Sequence, residues 1–226
     1  MQIDEILSRL KNLAPPTGTG MKRLGLKENA LGVSMTSMRK LANELGGNDH
    51  ALAALLWNES VHESRLLACL LEEPSLVTIE QANLWASSFD SWLLCDQCCN
   101  ELLWKTPFAR HQAIEWTDRK EEFVKRAGFS LIAALACFME EDDIGFFDFS
   151  LFCIRKHAGD TRPYVRQGIA RALRQIGKRN TRLHEAALET TEEIRLQPSK
   201  EARWIARQVL ADLKSSRVQQ LLEQID

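Results

Sequence analysis

Thirteen segments of this chain carry apolar residues three and four apart, and no segment alternates apolar with polar for long enough to make a confident strand. They run from Ile3 to Leu13, Met38 to Leu45, Leu52 to Trp57, Val61 to Leu71, Ile79 to Trp85, Trp92 to Leu103 and Phe108 to Trp116. The series continues from Phe123 to Phe138, Phe147 to Ile154, Val165 to Ile176, Ala186 to Ile194, Trp204 to Leu213 and Val218 to Ile225. That spacing places the apolar side chains on one face of a helix, so the chain is predicted to be all-α. The punctuation agrees. Asn48, Ser60, Ser91, Thr117, Asp160 and Ser199 stand where N-caps belong, and Pro74, Pro107, Pro163 and Pro198 sit at helix edges.

Short connections make successive helices antiparallel neighbours, and each must bury its apolar face against another. Helix pairs recur loosely every 35 to 45 residues, the range of two-helix solenoid repeats. Stacked pairs of this kind form an α-α superhelix of HEAT-like repeats with a concave groove. The expected organisation is an N-terminal helix or arm over residues 1–20 and a HEAT-like repeat domain over 21–226. The Pro, Gly and Thr-rich stretch APPTGTGMKRLGLKENALGVS marks the loop between them. A chain of 226 residues buries roughly 70 to 75% of its unfolded surface, so it needs neither disulfide nor metal to be stable.

Several functional classes are excluded at this stage. The opening MQIDEILSRLKNL lacks the uninterrupted apolar core of a signal peptide, and no apolar run reaches membrane-spanning length. A cytoplasmic protein without membrane partners is expected. Six cysteines without a secretory signal do not read as a disulfide framework. Cys95, Cys98 and Cys99 lie on or near one apolar face with Leu102 and lack a second ligand pair, so they are expected to be buried thiols, not a metal site. No Gly-rich phosphate loop is present, and His62, His111 and His157 have no partner at ligand or triad spacing. No cofactor or metal is expected.

The net charge of −2 conceals a local excess. Between Arg155 and Arg182 stand nine Lys or Arg, at positions 155, 156, 162, 166, 171, 174, 178, 179 and 182, against the single acid Asp160. Acids gather elsewhere, at Glu140, Glu141, Asp142, Asp143 and Asp148. Val165, Ile169, Ala172 and Ile176 form a buried stripe, while Arg171, Arg174 and Lys178 point the other way. Such a face can simply keep a helix solvated. Because the cations are not interleaved with acids, a phosphate backbone is the more economical partner.

A second constellation lies in SFDSWLLCDQCCNELLW, where Trp92 and Asp96 are four residues apart and share a helix face. A core Trp and a solvated Asp are each commonplace, but those two fates belong on different faces.

The segments GVSMTSMRKLANEL, ALAALLWNESVHESRLLACLL, FDSWLLCDQ, EWTDRKEEFVKRAGFSLI and YVRQGIARALRQIGK together resemble the DNA alkylation repair family of alkylpurine DNA glycosylases, from about residue 30 to about residue 215. The most specific parts are the aromatic-x-x-x-Asp pair and the Arg of FVKRAGF. The resemblance implies a HEAT-like solenoid holding alkylated duplex DNA and acting at the bacterial nucleoid, and a monomer is expected. It implies hydrolysis of the N-glycosidic bond of N3- and N7-alkylated purines. By resemblance Asp96 is the catalytic carboxylate and Trp92 packs on the deoxyribose. Arg126 contacts phosphate, with Arg166, Arg171, Arg174 and Lys178 as further DNA-binding residues. One departure matters: active members carry a third cleft Trp where this chain has Arg171. Relatives lacking parts of the cleft bind DNA, including branched forms, without evident glycosylase activity. A non-catalytic DNA-binding relative and a protein-binding helical scaffold are therefore the competing expectations.

Overall fold

The computed structural model describes residues 2–15, 30–140 and 143–224, and among them it contains helices and no strand. The helices are α1 (Ile3–Leu13), α2 (Met35–Glu44), α3 (His50–Trp57), α4 (His62–Leu71), α5 (Ile79–Ser87), α6 (Trp92–Glu101) and α7 (Ala109–Thr117). They continue as α8 (Glu122–Phe138), α9 (Ile144–His157), α10 (Pro163–Ile176), α11 (Thr181–Leu196), α12 (Lys200–Leu213) and α13 (Ser216–Leu222). Each falls on a segment of the apolar periodicity. The ends move outward where the first turn is polar, as in α11, which begins at Thr181 instead of Ala186.

Two of the six expected caps form. Ser91 accepts from the Leu94 N–H at 3.3 Å, and Ser199 accepts from the N–H groups of Glu201 and Ala202. The other four do not. Asn48 takes a left-handed φ of 49° after Gly46 and Gly47, so Asp49 caps α3 instead. Val61, not Ser60, stands before α4. Thr117 closes α7, its hydroxyl donating to the Ile114 carbonyl. Asp160 accepts from the Arg162 N–H at 3.1 Å, leaving Arg162 at the cap position and Pro163 as the first helical residue of α10.

The chain divides into two compact units, Met1–Trp85 with Phe89–Thr106, and Ala86–Ser88 with Pro107–Asp226. In the first, α4 is the central element and packs against α1, α2, α3 and α6. It is buried on nearly every side, from His62 through Leu71, so even polar side chains are enclosed. Glu63, only 1% exposed, accepts the N–H groups of Leu31 and Gly32 at 2.8 and 2.6 Å and ties the approach to α2 onto α4. Trp57 of α3 stacks on Trp85 of α5 with ring centroids 3.9 Å apart. α1 buries Ile6 and Leu10, and its Arg9 pairs with Glu44 of α2. The expected boundary at residue 20 and most of the loop beyond α1 lie outside the described residues, as do Glu141, Asp142 and Ile225.

In the second unit, α8 is the spine. Every residue from Val124 to Ala136 is buried, so the helix has no wet face for periodicity to reveal. α7 and α10 both pack on it, and the contact with α7 is backbone to backbone at Gly128, where an added Cβ would lie 2.7 Å from the Thr117 nitrogen. α8, α10 and α12 pack in succession, as do α7, α9 and α11, giving the two-layered order of helical repeats. The repeats are not uniform. α3, α5, α7, α9 and α11 begin at His50, Ile79, Ala109, Ile144 and Thr181, so the early pairs recur at about 30 residues, shorter than expected.

Candidate functional site

α6 starts where it does because Ser91 caps it, which makes Trp92 the first helical residue and sets Asp96 one turn later. Cys95, Cys98 and Cys99 are fully buried, as the apolar-face reading requires, and Cys98 meets Cys69 of α4. Burial, then the hydrogen bond with Cys69, pushes the Cys98 thiol well above the usual range. Cys98 is thus a packed thiol, not a poised nucleophile. Among the described residues no cluster of His, Cys, Asp and Glu is arranged to hold a metal.

The adjoining strip of α6 carries the pair. Trp92 is half-buried, whereas Asp96 is only 7% exposed. Solvation alone would order them the other way, since a carboxylate costs far more to take out of water than an indole. On α6 a buried carboxylate therefore stands beside a more accessible aromatic ring. Both residues belong to the first unit.

The five basic residues belong to the second unit, and their surroundings differ. Arg126 on α8 is 3% exposed, and its Nη1 donates to the Tyr164 carbonyl at 2.6 Å. It packs against α10, since a Cβ on Gly168 would be 3.4 Å from its Cγ. Arg166 rests on the Trp204 ring, its guanidinium carbon 4.4 Å from the centroid, and its buried Nε has no hydrogen-bond partner among the described residues. Arg171 is half-buried on α10. Arg174 and Lys178 both reach Asp212 of α12, at 3.9 and 2.5 Å.

The basic cluster is thus less bare than its composition implies. Lys156 pairs with Asp118 at 2.7 Å, Arg162 with Asp160 at 2.6 Å and Arg182 with Asp148 at 2.9 Å, while Arg155 pairs with Glu193. Most of these acids stand 34 to 38 residues away in or beside neighbouring helices, beyond any local count. The expectation of a face uncompensated by acids holds within α10 but not across the layers.

Histidine adds a contact that sequence spacing does not show. His157 lies 2.8 Å from Asp118 through Nε2. The hydrogen bond from Lys156, followed by that from His157, holds the Asp118 carboxyl below its usual range, while burial lowers His157. His62, at the start of α4, is 5% exposed, and its Nε2 has no hydrogen-bond partner among the described residues. Burial lowers its pKa, opposed by Glu63 and Asp90. Neither His62 nor Glu63 carries a sequence signal, because their burial comes from the packing of α4 and not from a motif.

The chain is thus an all-helical paired-repeat protein with a buried carboxylate beside an indole on α6 and a basic α10. The profile of the DNA alkylation repair enzymes matches residues 6–213, and the chain belongs to that family. A protein described as one of a new family related to the HEAT-like repeat DNA glycosylases, with affinity for branched DNA structures, has the same fold. It superposes with a TM-score of 0.77 at 16% identity, over 94% of this chain and 96% of that one. A designed armadillo repeat protein aligns at a TM-score of 0.42 and 18% identity, over 94% and 95%. No curated protein matches the sequence. Among the described residues, no helix is long and apolar enough to cross a membrane.

Proposed function

We propose that this protein is a DNA repair glycosylase that hydrolyses the N-glycosidic bond of cationic N3- or N7-alkylated purines in duplex DNA. The observation that carries the reading is the burial order on α6, with Asp96 at 7% exposure and Trp92 partly exposed one turn before it.

The chemistry asks little of the protein. An alkylated purine is already a cation, so when the bond from C1′ breaks the base departs with the electron pair as a neutral molecule and needs no general acid. The sugar becomes oxocarbenium-like. A carboxylate at Asp96 stabilises that charge, orients a water towards C1′ and accepts its proton as the new C–O bond forms. The Trp92 ring offers its π face to the same positive charge. Arg166, Arg171, Arg174 and Lys178 engage phosphates, the last two by exchanging Asp212 for the DNA backbone. Arg126, enclosed and bonded to the Tyr164 carbonyl, positions the first turn of α10.

The experiment is chromatography of bases freed from methylated duplex DNA. The wild type releases alkylpurine faster than spontaneous depurination, and Asp96→Asn does not. Equal release by the two proteins refutes the assignment of Asp96.

One observation favours a second reading. By the family resemblance Arg171 stands where active members carry a cleft Trp, and the superposing protein is described as one of a new family with affinity for branched DNA structures. On that reading the protein binds DNA without cleaving the glycosidic bond. Salt-dependent binding with base release no faster than spontaneous would establish it in place of the first.

A further inference from the structure

The second unit exposes a face that glycosidic chemistry does not use. On α9, Ile144, Phe149 and Phe152 are 50%, 52% and 47% exposed. The two Phe rings stack on each other in the open, with centroids 5.6 Å apart and planes inclined by 26°. At 100° per residue the three side chains share one arc of α9, spanning about 140°. Isolated exposed apolar residues are ordinary, but a stacked pair with a third neighbour on the same arc forms a patch.

Next to this ridge runs an acidic rail. α11 presents Glu185, Glu189 and Glu193 at successive i, i+4 positions, all exposed. A shallow groove of about 230 Å³ separates rail from ridge and is lined by Asp148, Phe152, Arg155, Glu189 and Glu193. Within it the charges largely answer one another, Arg155 to Glu193 and Arg182 to Asp148. Glu185 and Glu189 have no ion-pair partner among the described residues. The charge left over beside the apolar ridge is therefore negative.

We propose that the α9–α11 face docks a basic amphipathic helix of a partner protein. Its apolar stripe covers Ile144, Phe149 and Phe152, and its flanking Lys or Arg side chains run along Glu185 and Glu189. Charge selects this occupant over the others that an apolar ridge could take. A second copy would bring two acidic rails into one contact, and an anionic bilayer would be repelled by them.

The test uses the full-length protein and two fluorescent helical peptides of about five turns, each with a Leu stripe, one flanked by Lys and the other by Glu. The Lys peptide binds and the Glu peptide does not. Phe149→Ser/Phe152→Ser weakens binding by at least about tenfold, as loss of a central aromatic anchor does. Glu185→Lys/Glu189→Lys weakens it separately and removes its salt dependence. Both variants replace exposed side chains and keep the wild-type melting temperature, and Phe149→Ser/Phe152→Ser also keeps the wild-type DNA affinity. Failure of the Lys peptide to bind overturns the proposal, as does binding that survives the Phe substitutions or an equal response to the Glu peptide. A dimer in sedimentation that is lost in Phe149→Ser/Phe152→Ser assigns the face to a second copy instead. Adsorption to phosphatidylserine vesicles lost in the same variant assigns it to a membrane, and either result overturns the proposal.

Discussion

Asp96 and Asp160 show how differently two enclosed carboxylates are used. Asp160 is held down to about 2 although burial disfavours its charge, because Arg162 donates to it through both its N–H and its guanidinium and Lys125 lies 3.3 Å away. A carboxyl whose folded pKa is depressed contributes stability above its unfolded value, near 4, and loses it as pH falls towards the folded value of about 2. Asp160→Asn is therefore less stable than wild type at neutral pH, and the difference in urea midpoint closes between pH about 4 and about 2. A difference that stays constant over that range contradicts the assignment. The Trp92 and Asp96 pair was legible from its four-residue spacing, but the order of their burial was not. Burial depends on how α6 seats its cysteines against α4, and no spacing within α6 encodes that. The Asp118 partner of His157 was equally hidden, since it is supplied by a separate helix 39 residues away.

At the level of elements, the apolar spacing falls on every helix of the described residues, in most because one face is buried and in α8 because the helix is apolar along most of its length. The caps were harder. Asn48 looks like a cap by residue type, yet the turn through Gly46 and Gly47 commits it to positive φ and passes the role to Asp49. Ser91 does cap α6, and Ser91→Ala lowers stability by about 1 kcal/mol in chemical denaturation, the usual cost of a lost N-cap. Gly128 gives a sharper contrast. Its missing Cβ lets α8 touch the α7 backbone, so Gly128→Ala forces the helices apart and costs about 1–3 kcal/mol. Gly145 in α9 meets nothing nearer than the Asp143 carboxylate at 3.7 Å, and Gly145→Ala is neutral or stabilising by about 0.5 kcal/mol. Equal effects of the two substitutions contradict the close α7–α8 contact.

For the whole molecule, the formal net charge of −2 understates how much of the basic segment is engaged internally. Asp212 holds both Arg174 and Lys178, so Asp212→Asn frees two cations. We expect tighter DNA binding and a salt dependence steeper by about one to two phosphate contacts in titrations at several ionic strengths. An unchanged slope removes Arg174 and Lys178 from the DNA contact. Family membership was readable from motifs spread along most of the chain, whereas the interhelical pairing that tempers its charge emerged only from the packed layers. The most direct test of the account is a single-turnover measurement on duplex DNA containing N7-methylguanine, with DNA affinity determined on the same samples. The prediction is rapid base release by wild type, loss of release in Asp96→Asn and unchanged affinity. Release by the wild type at the spontaneous rate, with DNA still bound, contradicts the glycosylase reading.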